Sequence, residues 1–216
     1  MRLRIIKEAD SKLLEYKPIY VEEPNNYKGK WHELFKNSNR IYLEIGMGKG
    51  QFLIEQASKN PQINFIGIEV SATVALRAAK KIKKAKLENI HIMNIDAIEI
   101  AECFENAEVG KIYLNFSDPW PKNRHDKRRL TYYKFLEKYD LVLDKDGQIE
   151  FKTDNYKLFL FSVISFNNYG LKFLDLSFDL HNDFDDVITT EYEDKFISMK
   201  KPIYYIKARK NNEDKK

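Results

Sequence analysis

The stretch 40-RIYLEIGMGKGQF-52 decides the fold. Its first six residues are a short, largely apolar run of strand type, cut off by glycine, and the pattern beyond Gly50 turns helical. Gly46, Gly48 and Gly50 let the backbone turn tightly and come close to a ligand where strand gives way to helix. A dinucleotide fingerprint has the spacing G-x-G-x-x-G, with a helix start facing a pyrophosphate. Here the spacing is G-x-G-x-G, and Gln51 occupies the place of the third glycine, so the turn alone is a weak signal.

Outward from this turn, short apolar runs alternate with helical patterns. Strands are expected at 40–45, 63–69, 89–95, 111–117, 148–153, 171–180 and 203–209. Helices are expected at 51–60, 71–86, near 97–105, from about 131 to 143, and at 155–168. Ser71 and Thr131 stand where helix caps belong, and Asp146-Gly147 reads as the turn into the fifth strand. The alternation predicts an α/β fold: a doubly wound, mainly parallel seven-stranded sheet with helices on both faces. Residues 1–39 carry Pro18 and Pro24 among tyrosines without sustained periodicity and read as an N-terminal arm, with a short helix near 31–36. Residues 40–210 form the expected single domain, and 211–216 a disordered tail.

Composition narrows the class. The 216 residues suffice for one domain with a sizeable core, and 43% hydrophobic with 32% charged residues is a globular balance. A net charge of +4 demands no nucleic-acid partner globally, so the local distribution of charge has to carry that argument. A single cysteine, Cys103, excludes an internal disulfide, fits a reducing, cytoplasmic setting and reads as a small buried side chain. The N-terminus has no uninterrupted apolar segment, so no signal peptide is expected. LFLFSVISF at 158–166 is well short of the about 18 residues of a membrane span and reads as a buried helix. The four scattered histidines predict no metal site.

Carboxylates then sharpen the glycine turn. Glu44 closes the first strand, Glu69 the second, Asp96 the third and Asp118 the fourth. In a doubly wound sheet these strand ends converge on one crevice. Four acids there would repel a pyrophosphate and suit a cationic ligand such as S-adenosylmethionine, with its sulfonium and ammonium; Glu69 is placed to accept both ribose hydroxyls. Acids that merely cap turns account for any one of the four, and poorly for all of them beside the glycines. Asp118 opens 117-SDPWPKNRHDKRR-129, a stiff turn followed at once by a run of cations.

Together EIGMGKG, GIE, NIDA and SDPW resemble the cofactor motifs of Rossmann-like class I methyltransferases. EIGMGKGQF, SDPWPKNRHDKRR, FKTDN and TEYEDKF resemble, more narrowly, the bacterial tRNA (guanine-N7)-methyltransferase family over residues 40–209, the basic proline motif being the specific one. The resemblance implies methyl transfer from S-adenosylmethionine to N7 of a guanine in the tRNA variable loop. It implies cofactor contacts from Glu44, Gly46, Gly48, Gly50, Glu69, Asp96 and Asp118. Substrate contacts would come from Lys122, Asp154, Thr190, Glu191, Tyr192 and Glu193, and RNA contacts from Arg124, His125, Lys127, Arg128 and Arg129. Asp118 is the expected catalytic residue, and Asp154 and Glu193 the candidates for reading the Watson–Crick edge of guanine. Lys-rich 80-KKIKKAK-86 reads as a solvated face or an auxiliary RNA contact. The expected partner is tRNA, without membrane or metal, for a monomer or homodimer. Three readings compete: an exocyclic-amino methyltransferase, a nicotinamide oxidoreductase, and a non-catalytic RNA-binding module on the same fold.

Overall fold

The computed structural model describes residues 5–199 and 201–211; the expected tail, from residue 212 onward, lies outside the described residues. In chain order the elements are α1 (Ala9–Leu13), α2 (Trp31–Phe35), β1 (Ile41–Ile45), α3 (Gln51–Lys59), β2 (Asn64–Ile68), α4 (Ala72–Ala85), β3 (Ile90–Met93), α5 (Ile100–Cys103) and β4 (Val109–Asn115). There follow α6 (Tyr133–Val142), β5 (Leu143–Thr153), α7 (Tyr156–Tyr169), β6 (Lys172–Ser177), α8 (Leu180–Asp183), α9 (Glu191–Ser198) and β7 (Tyr204–Arg209). One seven-stranded sheet runs in the order β3-β2-β1-β4-β5-β7-β6. The first five of these strands are parallel, and β7 is antiparallel to both β5 and β6. The strand order reverses direction between β1 and β4, so the crevice of the fold opens at the carboxyl ends of those two strands.

Both faces of the sheet are covered. Trp31, Phe35, Phe104, Phe135, Leu136, Tyr139, Phe159 and Phe166 pack on one side, and Leu13, Phe52, Leu53, Ala75, Leu76, Ala79 and Ile82 on the other. Each large side chain so buried contributes on the order of 1.5–3 kcal/mol. Residues 5–39 straddle the β3 edge: α1 belongs to the α4 side and α2 to the opposite side. Between these helices the chain bonds to the edge strand, Val21 N–H donating to Ile92 O at 2.9 Å and Ile92 N–H to Ile19 O at 2.8 Å. The pairing satisfies backbone groups that an open edge would expose. Cys103 is buried, and burial pushes its thiol up to about 12, so it is inert.

Three local expectations are corrected. The Ser71 hydroxyl makes no capping bond; its backbone N–H instead donates to Glu69 Oε1 at 2.9 Å. Thr131 is buried and pairs its hydroxyl with Ser162 Oγ at 2.8 Å, while Tyr132 stands at the start of α6 without a side-chain capping bond. β5 starts at Leu143, so Asp146-Gly147 lies inside the strand, at a shift of register against β4, rather than in a turn ahead of it.

Candidate active site

The glycine turn is as tight as its spacing demands. Gly46, Gly48 and Gly50 have φ of +76°, +56° and +74°, a region where a side chain is strained. Gly67 matters for another reason: a Cβ there would lie 2.2 Å from Met47 Sδ and 2.7 Å from Leu53 Cδ2. Gly67 pairs with Glu44 in the sheet, so the turn can fold down onto β2 only because that position carries no side chain.

The turn separates two adjoining clefts. The larger, about 480 Å³, is lined by Gly46, Glu69, Asp96, Phe116, Asp118, Trp120 and Arg128, with Ile45, Ile68 and Phe135 as apolar floor. The second, about 340 Å³, shares Gly46 and Phe116 and adds Glu44, Gly48, Asn115, Thr190, Glu191 and Tyr192. Strands β1, β2, β3 and β4 thus deliver the four acids to one side of the sheet, as the crevice rule requires.

Each acid is held differently. Glu69 accepts from Gly48 N–H at 3.1 Å and from Ser71 N–H, which ties the glycine turn to the start of α4. Burial raises its carboxyl, and those two amide bonds pull the other way. Asp96 caps the next helical turn, accepting from Ile98 N–H at 3.0 Å, and lines the larger cleft. It is a helix cap and a cleft wall at once. Glu44 is 2% exposed. It accepts from Asn115 Nδ2 at 2.9 Å, and burial pushes its carboxyl up to about 8 despite that bond and the Lys152 charge. Glu44 Oε2 and Asn115 Oδ1 have no protein partner. Asp118 is exposed at the mouth of the larger cleft.

The Asp118 turn is clasped by its own cationic run. Phe116 and Trp120 take φ of +50° and +40°, uncommon for aromatic residues. Arg129 spans the turn, its Nε donating to Pro119 O at 3.1 Å and its Nη2 to Trp120 O at 3.0 Å, with the guanidinium 4.3 Å from the Phe161 ring centre. Arg128 lies over Trp120 at 4.8 Å, and the His125 ring meets the same indole edge-on at 5.9 Å. Residues 123–128 form a short 3-10 helix. Lys122, Arg124 and Lys127 are exposed on it or just before it, and none of the three forms an ion pair among the described residues. The run therefore divides into residues that pack on the turn, Arg129 and His125 half-buried and Arg128 exposed over Trp120, and residues exposed without such a contact, Lys122, Arg124 and Lys127.

The 190–193 segment divides in the same way. Thr190, Glu191 and Tyr192 line the second cleft, Tyr192 stacking at a tilt on Phe116 with centroids 5.2 Å apart. The Glu191 carboxylate bridges Lys49 of the glycine turn, at 2.8 Å, and Lys81 of α4. Glu193 faces inward and is 0% exposed. Its oxygens accept from Lys152 Nζ at 3.1 and 3.3 Å and from Thr190 N–H at 3.2 Å, and one of them lies 2.9 Å from His181 Nε2. Asp154 is half-buried at the end of β5, and its charge adds to burial in raising the Tyr192 phenol. Sequence reading missed Asn115, Lys152, His181, Lys49 and Lys81. Asn115 carried a signal, a polar group inside the apolar run 112–116; Lys152 did not, since it continues the polar alternation of Gln148 and Glu150 in β5, and Lys81 stood in a run read only as a solvated face or an auxiliary RNA contact.

Known proteins place this arrangement. A family model described as a putative methyltransferase matches residues 38–206. Among solved structures, a SAM-dependent methyltransferase from Aquifex aeolicus is 12% identical with a TM-score of 0.58, covering 94% of this chain and 98% of that one. The 16S rRNA methyltransferase KamB is 14% identical with a TM-score of 0.61, covering 83% of this chain and 92% of that one. At such identities these likenesses speak for the fold alone, a Rossmann-like one; the class, methyltransferase, comes from the family model, which matches most of the chain. Relatives named tRNA (guanine-N(7)-)-methyltransferase are much nearer. The Bacillus licheniformis protein is 48% identical over 96% of this chain and 98% of its own. The Bacillus subtilis protein is 49% identical over 94% and 96%. The chain belongs to the tRNA (guanine-N(7)-)-methyltransferase family.

Proposed function

We propose that this protein transfers the methyl group of S-adenosylmethionine to N7 of a guanine in the variable loop of tRNA. The observation that carries the reading is the acid-lined crevice opening beside a turn whose outer face is cationic. A donor pocket and a polyanion contact then share one loop, residues 116–129.

The residues present fit such a cofactor. Glu44 Oε2 is a buried acceptor without a partner, suited to an ammonium, and Asp96 with the glycine turn can meet polar groups of a nucleoside. When bound, S-adenosylmethionine supplies an electrophilic methyl group on a sulfonium.

The chain's own residues do the rest. Guanine N7 carries an in-plane lone pair and no proton, so the site needs no strong base. Methylation leaves the purine cationic, and the Asp118 carboxylate at the cleft mouth stabilises that charge as it develops. Phe116 and Tyr192 offer a stacking wall for the extruded base, and Asp154 an acceptor for its N1–H and N2–H donors. Alignment of N7 with the methyl carbon supplies most of the remaining acceleration. Glu193 serves as a positioning residue: with both oxygens taken by Lys152, His181 and Thr190, it fixes the loop that presents Thr190 and Tyr192. Lys122, Arg124 and Lys127 reach RNA phosphates, whereas Arg128 and Arg129 hold the turn.

The deciding experiment maps the methylated nucleotide after incubating unmodified bulk tRNA with the protein and labelled S-adenosylmethionine. Label on guanine N7 in the variable loop is the expected outcome. Label on an exocyclic nitrogen, or none on tRNA, overturns the proposal.

A further inference from the structure

In the floor of the second cleft, β1 and β4 bring Glu44 and Asn115 side by side under the glycine turn. The Asn115 amide gives Nδ2–H to Glu44 Oε1 at 2.9 Å, which turns its own carbonyl oxygen away from the bond. What remains is a pair of acceptors, Glu44 Oε2 and Asn115 Oδ1, on side chains only 2% and 6% exposed, with no protein donor for either. Orphaned buried acceptors cost roughly 1–3 kcal/mol each, and a folded protein tolerates two in one cleft when a ligand supplies the donors. A hydroxyl can serve one of them; a primary ammonium, with three donors, can serve both.

We propose that Asn115 is a cofactor-binding residue, its Oδ1 and Glu44 Oε2 together receiving the primary ammonium of the methyl donor's amino-acid moiety. This deepens the methyl-donor reading above and rests on it. The wider surroundings agree with a cationic guest. Glu44 is faced by Lys152 from β5, by Glu69 beyond the end of β2 and by the Tyr113 phenol from β4. Lys152 is already engaged by Glu193 and by Ile188 O, at 2.7 Å, so it is not free to neutralise Glu44.

A proton follows from the same geometry. Burial pushes the Glu44 carboxyl up to about 8, so in the free protein a proton on Glu44 itself offsets part of the cost of the unanswered pair. An ammonium in the acceptor pair favours the carboxylate, so binding transfers the Glu44 proton to the buffer and leaves the ion pair behind. No other group need change charge.

The test is titration calorimetry of the full chain at pH 7 without RNA, using S-adenosylhomocysteine and 5′-methylthioadenosine, which lacks the amino-acid part. Each is run in phosphate and in HEPES, whose ionisation enthalpies differ. Release of close to one proton with S-adenosylhomocysteine, and none with 5′-methylthioadenosine, is expected from the unaltered protein. Asn115→Leu should weaken S-adenosylhomocysteine about ten- to a hundredfold, the scale of a lost charge-assisted bond, while changing 5′-methylthioadenosine less than threefold. Glu44→Gln should bind without proton release. Equal weakening of both ligands by Asn115→Leu would overturn the proposal and leave the methyl-donor reading standing. Failure of S-adenosylhomocysteine to bind at all would remove both.

Discussion

The donor side and the substrate side of this active site are built by different means. On the donor side, Glu44, Glu69 and Asp96 sit at the ends of paired parallel strands, and ladder bonds and a dry core fix their backbones. On the substrate side, the Asp118 turn and the 190–193 segment lie outside the sheet and are held by individual side chains: Arg129 across one, Glu193 and Glu191 beneath the other. In the first kind of site the backbone that carries each acid keeps its place through the sheet ladder, whatever one side chain does. The second depends on a few long-range ties, and these differ in strength according to how far water reaches them.

That contrast can be broken at its strongest point. Lys152→Met removes the cation from a carboxylate that is 0% exposed, and unfolding in denaturant should show a loss of about 3–5 kcal/mol, with methyl transfer falling alongside. A loss under 1 kcal/mol would mean the 190–193 segment does not need its buried anchor. Next in size is Asp118→Asn, for which kcat should fall about 10²–10³-fold while calorimetric affinity for S-adenosylhomocysteine stays within a few-fold. A matching loss of cofactor affinity would move Asp118 from the chemistry to the donor pocket.

Two halves of the basic run can be separated by kinetics. Arg129→Lys keeps the charge and loses the forked contact to Pro119 and Trp120, so kcat should drop about tenfold with an unchanged salt dependence of tRNA binding. Lys127→Ala with Arg124→Ala should instead reduce the slope of log Kd against log salt by roughly one per residue and spare kcat. Exchange of these two outcomes would reverse the division drawn between cations that pack on the turn and cations that do not.

Stability against pH tests the donor side alone. The Glu44 carboxyl lies higher in the folded protein than in the unfolded chain, where it starts from 4.5. Its contribution to stability is therefore present in full below that ordinary value and is lost as pH rises through about 8. Glu44→Gln should flatten that part of the unfolding profile of the free protein, and saturating S-adenosylhomocysteine should flatten it in the unaltered one. The smallest effect belongs to Glu191→Gln, whose ties to Lys49 and Lys81 are partly solvated. About 0.2–1 kcal/mol of stability should go, and less still in high salt.

The sequence by itself determined the seven strands and the helices between the first strand and the sixth (but not α1, α8 or α9), the glycine turn, and the four acids at strand ends. These follow from local chemistry: a period of two or of 3.6 residues, a φ only glycine adopts freely, and the rule that parallel strands end on one crevice. Strand edges were legible to within a few residues, except at β5, whose start is set by pairing with Val109 and not by any turn signal. Tertiary structure alone decided what the polar side chains face. A sequence cannot show that Arg129 bends back to Pro119, that Glu193 points inward to Lys152 on β5, or that residues 5–39 cap the β3 edge. Nor does Glu193, the second glutamate of TEYE, read differently whether it meets guanine or a buried lysine. The reason is physical: burial, and the partners it brings, depend on residues far apart in the chain, and they settle whether a charged group is spent on the fold or left for the ligand.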